Sequence, residues 1–204
     1  MIERIRNIIA KEADAIRNIP VSDSFIKAIE MIYNKVHQQQ GKLIISGMGK
    51  VGQIAQNIAT TFCSTGTPAI FLHPSEAQHG DLGILQKNDV LLVISNSGKT
   101  REIIELIDLT KNLFQEIPII AITGHLNTPI LEKVNCILFT GNPKEVCPLD
   151  LTPTTSTTVM TVIGDILVVL MVEKIGFTAE DYAKRHHSGY LGTKSRNSGK
   201  PLKT

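Results

Sequence analysis

The sequence predicts an α/β fold: a three-layer αβα sandwich around a five-stranded parallel sheet, with two leading helices. Three observations predict it. Apolar, β-branched runs alternate with helical patterns through short glycine-containing connections, an order that implies right-handed crossovers. Aromatic residues make up only 4% of the chain, against 42% hydrophobic residues in all and no Trp. The strands must therefore be built from Ile, Val and Leu, as in sheets covered on both faces. Finally, 204 residues suits one compact domain and leaves little room for a second.

Residues 1–18 and 22–39 carry apolar side chains at i, i+3 and i+4 (Ile2, Ile5, Ile8, Ile9; Phe25, Ile29, Ile32, Val36), which predicts two helices separated at Pro20. Strands are predicted at 42–46, 68–72, 90–95, 118–123 and 136–140, with helices at 51–64, 101–115 and 128–133 between them. A long apolar pattern then follows the hydroxyl-rich run PTTSTTVM at 153–160. This pattern is interrupted by Gly164, Asp165 and Glu173, so it suits a buried helix better than a membrane span. One unit over 1–192 is expected, with leading helices to residue 40, a core over 41–192, and a disordered Gly/Ser/Lys tail over 193–204.

Two loops carry the first chemical signal: SGMGKVG at 46–52 and SNSGKTRE at 95–102, each leaving a strand and entering a helix. Backbone N–H groups, hydroxyls and the positive end of a helix dipole suit an anion there. Neither loop reads GxxxxGK[ST] or GxGxxG, which favours a small phosphorylated ligand over a nucleotide. Each loop alone also fits a tight turn that needs Gly and a hydroxyl cap. The cluster at Thr154, Thr155, Ser156, Thr157 and Thr158 fits either an N-cap or a third anion-binding helix start. In parallel sheets ligands bind beyond the carboxyl ends of the strands, where all three clusters are expected.

The formal charge of +2, from 21 basic and 19 acidic residues, argues against a nucleic-acid surface. Three unpatterned cysteines (Cys63, Cys136, Cys147) and the lack of an apolar leader point to a reduced, cytoplasmic setting and no membrane partner. His73 and His79 lack the i, i+4 spacing of a zinc helix, so no metal is expected.

The segments GMGKVGQIA, TFCSTGTPAIFLHPSEAQHGDLG, ISNSGKTREI, KEVCPLDLTPTTSTT, GFTAEDYA and HHSGYLG resemble the sugar isomerase (SIS) domain family and, within it, the arabinose 5-phosphate isomerases. The resemblance runs from about residue 41 to residue 192. It implies reversible interconversion of D-ribulose 5-phosphate and D-arabinose 5-phosphate through an enediol, supplying the precursor of 3-deoxy-D-manno-octulosonate (Kdo) for lipopolysaccharide or capsule. No metal or organic cofactor is implied. The family's catalytic positions fall on Lys50, Glu102, Glu145 and His186. Glu145 is expected as the proton-transfer base and His186 as its partner in proton shuttling or ring opening, while Glu102 and Lys50 orient and polarise the substrate oxygens. The phosphate is assigned to Ser46, Ser95, Ser97 and Thr100, with Thr154, Ser156 and Thr157 nearby, and His79 is a sugar contact.

Three departures from the family pattern stand out: Lys99 in place of the usual Glu after SNSG, HHSG in place of HPGG, and an end soon after LGTKS, where many relatives continue into CBS domains. The second places His187 beside His186, so either histidine fits. The third implies that feedback, for example by a nucleotide-activated Kdo sugar, acts on the SIS core itself. A homotetramer with shared active sites is also implied, the apolar leading helices being packing surfaces. A non-catalytic phosphosugar-binding module and an isomerase of another phosphosugar remain alternatives; a sensor would need the Ser/Thr loops but neither Glu145 nor His186.

Overall fold

A computed structural model describes residues 1–188 together with 190, 192, 194 and 195; the tail expected over 193–204 lies almost wholly outside the described residues. The elements are α1 (Ile2–Arg17), α2 (Ser24–Ile32), β1 (Leu43–Gly47), α3 (Lys50–Ser64), β2 (Ala69–Phe71), α4 (Pro74–Ala77), β3 (Val90–Ile94), α5 (Arg101–Leu113), β4 (Ile119–Thr123), β5 (Cys136–Phe139), α6 (Thr155–Lys174) and α7 (Ala179–Arg185). The five strands pair in parallel in the order β2-β1-β3-β4-β5. This is the predicted three-layer sandwich.

The two faces of the sheet divide the core by the alternation of strand side chains. Leu43, Ile45, Leu92, Ile94 and Ile122 meet α2, α3 and α6 on one face. Ile44, Leu91, Val93, Ile119 and Ala121 meet Ile103, Leu106 and Ile107 of α5 on the other. The chain thus leaves β1 for one side and β3 for the opposite side, which makes the ends of these neighbouring strands the topological switch point. Both Ser/Gly loops flank it.

The short helix expected over 128–133 is instead a 3-10 turn at Leu131–Lys133. Pro129 lacks an N–H and biases Thr128 away from helical geometry, and too few residues remain for a stable α-helical turn. The second leading helix also changes form, since Tyr33–Gln38 widens into π geometry. An element absent from the sequence reading, α7, is started by a reciprocal capping box in which Thr178 Oγ1 accepts from Asp181 N and the Asp181 carboxylate accepts from Thr178 N.

The 20-residue α6 is long and apolar enough to cross a membrane, with a mean hydropathy of 1.9, but half of that stretch is buried inside the protein. It lies along α3 with Gly164 set against Ile58, where an added Cβ would come within 2.4 Å of Ile58 Cδ1. That close approach aligns the starts of α3 and α6 at one edge of the sandwich. By contrast, α1 has no fully buried residue, and Ile2, Ile5 and Ile9 remain 69%, 49% and 62% exposed.

Candidate active site

At the end of β1 the chain turns through Met48 and Gly49 into α3. Gly49 has φ +63°, which favours glycine, and Gly47 comes so near Val51 that a Cβ would lie 2.9 Å from its carbonyl oxygen. Ser46 is buried, and its Oγ donates to Leu72 O at 2.6 Å. This proton ties β1 to the segment after β2, leaving Ser46 only lone pairs to offer a ligand. Lys50 opens α3, exposed and without an ion pair among the described residues.

After β3 the loop is internally braced. Ser95 is buried and its Oγ is 2.8 Å from Thr100 Oγ1, while Ser97 Oγ accepts from Lys99 N at 3.2 Å. Thr100 is the N-cap residue of α5, and Glu102 lies in that helix's first turn. Ser97 and Lys99 face His125 and Thr128 across a cleft of about 360 Å³. Gly98 has φ +61°, and a Cβ there would lie 2.3 Å from Thr128 Oγ1. Gly98→Ala should therefore open the loop: we expect the KM for a phosphorylated sugar to rise about tenfold or more, with a fall in stability of about 1 kcal/mol from the backbone strain alone. Steady-state kinetics and thermal melts of the variant check this, and an unchanged KM would place the anion elsewhere.

The start of α6 is already taken by a carboxylate. Glu145 Oε2 accepts from Thr154 N at 2.7 Å, Thr154 Oγ1 at 2.8 Å and Ser156 N at 3.3 Å, and Oε1 accepts a short hydrogen bond from Ser156 Oγ. Partial burial works against ionisation, but the donors from Ser156 and Thr154 outweigh it and hold the Glu145 carboxyl below the usual glutamate range. Thr157 Oγ1 is turned inward, donating to Thr154 O at 2.6 Å. The backbone around Glu145 is held as well: Glu145 N donates to Asp150 Oδ1 at 3.0 Å, and Val146 N donates to Thr155 Oγ1 at 3.1 Å. Two residues on, hydrogen bonds from the Thr152 side chain and the Leu149 backbone draw the Cys147 thiol down to about 7.

Only some of the predicted residues meet within one chain. Lys50 shares a cleft of about 370 Å³ between α3 and α6 with Thr157, Thr158 and Thr161. Thr154 and Ser156 hold Glu145, and Ser95 holds Thr100. His186 stands apart, in a groove along β2 and the second half of α3 with Gln56, Thr60 and Cys63. There its ring stacks on Tyr182 at 3.7 Å with an interplanar angle of 6°, and Nδ1 lies 3.0 Å from Tyr182 O. That carbonyl can only accept, so Nδ1 is the nitrogen that donates to it. His187 is exposed. His79 is exposed in the turn after α4, its backbone N–H bonded to Glu76 O at 2.9 Å.

Among the described residues no cluster of three His, Cys, Asp or Glu side chains is placed to hold a metal ion. The sequence reading did not single out Tyr182, Asp150 or Glu12, which contact the proposed catalytic groups or their supports. For Tyr182 the i, i+4 spacing to His186 on a helical segment was a usable signal; for Glu12 there was none.

The fold and these loops define a class: a doubly wound parallel α/β protein with hydroxyl-lined helix starts at its switch point and no nucleotide fingerprint. The SIS domain model matches residues 36–170, and the chain belongs to that family. Arabinose 5-phosphate isomerase KdsD of Pseudomonas aeruginosa is 42% identical over 193 residues, which cover 94% of this chain and 57% of that protein. The chain spans little more than half the length of the curated relatives it matches. Among solved structures, a candidate phosphosugar isomerase involved in capsule formation from Bacteroides fragilis is 62% identical with a TM-score of 0.92, covering 93% of this chain and 99% of that one. An Escherichia coli CFT073 protein in complex with arabinose 5-phosphate is 34% identical with a TM-score of 0.83, covering 91% and 96%.

Proposed function

We propose that this chain is an aldose–ketose isomerase that interconverts D-ribulose 5-phosphate and D-arabinose 5-phosphate, feeding Kdo synthesis for lipopolysaccharide or capsule. The observation that carries the reading is the presence, at two helix starts beyond the strand ends, of a hydroxyl-and-amide loop with one exposed cation, Lys99, at Ser95–Thr100 and of a carboxylate, Glu145, hydrogen-bonded at the start of α6. The first suits a phosphate and the second a proton transfer. The choice of substrate is supported by the relatives named arabinose 5-phosphate isomerase and by the similar protein bound to arabinose 5-phosphate.

In this mechanism the phosphate rests on the Ser97 hydroxyl, Thr100 and the start of α5. Glu145 takes the proton from carbon 2 of the aldose and delivers it to carbon 1, while the proton of the carbon 2 hydroxyl passes to the oxygen on carbon 1; the carbonyl moves from carbon 1 to carbon 2 through the enediol with no net change in atoms or electrons. Lys50 stabilises the developing oxyanion, and Glu102 orients the substrate hydroxyls. His186 lines a groove beside β2 that contains neither Lys50 nor Glu145, so in this reading it needs a second copy to meet them. A homotetramer with shared sites fits this need, as do the exposed isoleucines of α1 and the exposed Val169 on α6. Exposed Lys50 and Lys99 would also attract a nucleotide-activated Kdo sugar as a feedback inhibitor. The proposed unit is one SIS domain over 1–192, acting in the cytoplasm.

Incubation with single pentose and hexose phosphates in deuterium oxide, followed by NMR, tests the reading. The expected result is interconversion of the two pentose 5-phosphates with deuterium entering at carbon 2. Turnover of a hexose phosphate alone, or of none, overturns it.

A further inference from the structure

Helix α1 has no fully buried residue, yet it sends one carboxylate inward. Glu12 Oε1 accepts from Thr155 Oγ1 at 2.9 Å, across 143 positions of sequence. Thr155 is buried at the first turn of α6, and the same hydroxyl oxygen accepts from Val146 N at 3.1 Å. The path is continuous: α1, Glu12, Thr155, then the backbone next to Glu145. A hydroxyl has one proton, so Glu12 fixes where that proton points and leaves a Thr155 lone pair facing Val146 N.

Stability alone does not explain a glutamate here. Its second oxygen, Oε2, is buried and has no hydrogen-bond partner among the described residues. An unsatisfied buried acceptor is unfavourable, and a smaller apolar side chain would avoid that cost. What the carboxylate supplies is the bond to Thr155, reinforced by the positive end of α6. The remaining wall between α1 and the loop is an open groove of about 720 Å³ with Arg4, Ile8 and Lys11 opposite Glu145 and Cys147, so packing does little to hold that loop against α1.

We propose that Glu12 is a positioning residue that, through Thr155, holds the Glu145 loop in its productive register, making α1 part of the active-site support. This rests on the reading of Glu145 as the base, and the test separates the two. Three single variants of the full chain, Glu12→Ala, Glu12→Gln and Thr155→Val, and the double variant Glu12→Ala with Thr155→Val are compared with wild type. The readouts are kcat and KM on D-arabinose 5-phosphate, the melting temperature, and the pH dependence of Cys147 alkylation by iodoacetamide, resolved from Cys63 by peptide mass spectrometry.

We expect Glu12→Ala and Thr155→Val to lower kcat about tenfold with KM within about twofold, the pattern of a misplaced catalytic group. The alkylation midpoint should rise from about 7 as the Thr152 and Leu149 donors drift from the sulfur. Glu12→Gln should stay near wild type, since its amide oxygen still accepts from Thr155. Adding Glu12→Ala to Thr155→Val should cost nothing further. Wild-type kcat and midpoint in Glu12→Ala, or an equal loss in Glu12→Gln, overturns the proposal. If the wild type turns over no pentose phosphate, the functional reading fails, and the alkylation midpoints of the three variants still decide the role of Glu12.

Discussion

Glu145→Gln should lower turnover by about 10²–10⁴-fold while leaving the fold intact, the range expected when a positioned acid–base group is removed. The glutamine is close in shape, and its amide oxygen can still accept from Thr154 N and Oγ1, so α6 keeps its cap. What it lacks is a carboxylate able to take a proton. Circular dichroism and KM should change little while kcat collapses; near-normal kcat in a folded variant would remove Glu145 from the chemistry. The same substitution predicts a change in acid stability. The Glu145 carboxyl titrates below its ordinary value near 4.5 in the folded protein. Its stabilising contribution is therefore complete above about 4.5 and is lost as the pH falls through the lower folded value. Wild type and variant should differ in melting temperature at neutral pH and converge in strong acid.

His186→Ala should also abolish most activity, and its more telling result comes from mixing. If one copy supplies Glu145 and Lys50 while another supplies His186, a mixed assembly of Glu145→Gln and His186→Ala chains regenerates one site with both groups intact. Subunits exchanged under mild denaturant should then regain activity that neither variant shows alone. The geometry motivates this, since His186 is held against Tyr182 beside β2, in a groove that contains neither Lys50 nor Glu145. Failure to regain activity after proven exchange would require His186 to act within its own chain, or not at all. His187→Ala is the control and should be nearly silent, since His187 is exposed whereas the His186 ring is fixed by stacking on Tyr182 and by the Nδ1 hydrogen bond to Tyr182 O.

Much of this architecture was legible in the sequence because the signals were local. β-Branched runs such as VLLVI become fully buried strands, glycines mark strand-to-helix turns, and Thr or Ser marks helix starts. Periodicity misled where it was short: the pattern over 128–133 met Pro129 and gave only a 3-10 turn. The hydroxyl cluster at the start of α6 fits either a cap or an anion site by sequence, and in the structure the chain's own Glu145 makes hydrogen bonds with Thr154 and Ser156 there.

The sequence by itself determined the parallel sheet, its two helical faces and the placement of the Ser/Gly loops at one edge, because each depends on spacing and conformational preference within a few residues. Only the tertiary structure decided which side chains meet: Glu145 with Thr154 and Ser156, Glu12 with Thr155, and His186 with Tyr182 rather than with Lys50. Bonds across 9, 11 or 143 positions arise from how helices dock on the sheet, and side-chain packing in three dimensions leaves no period in the chain to read.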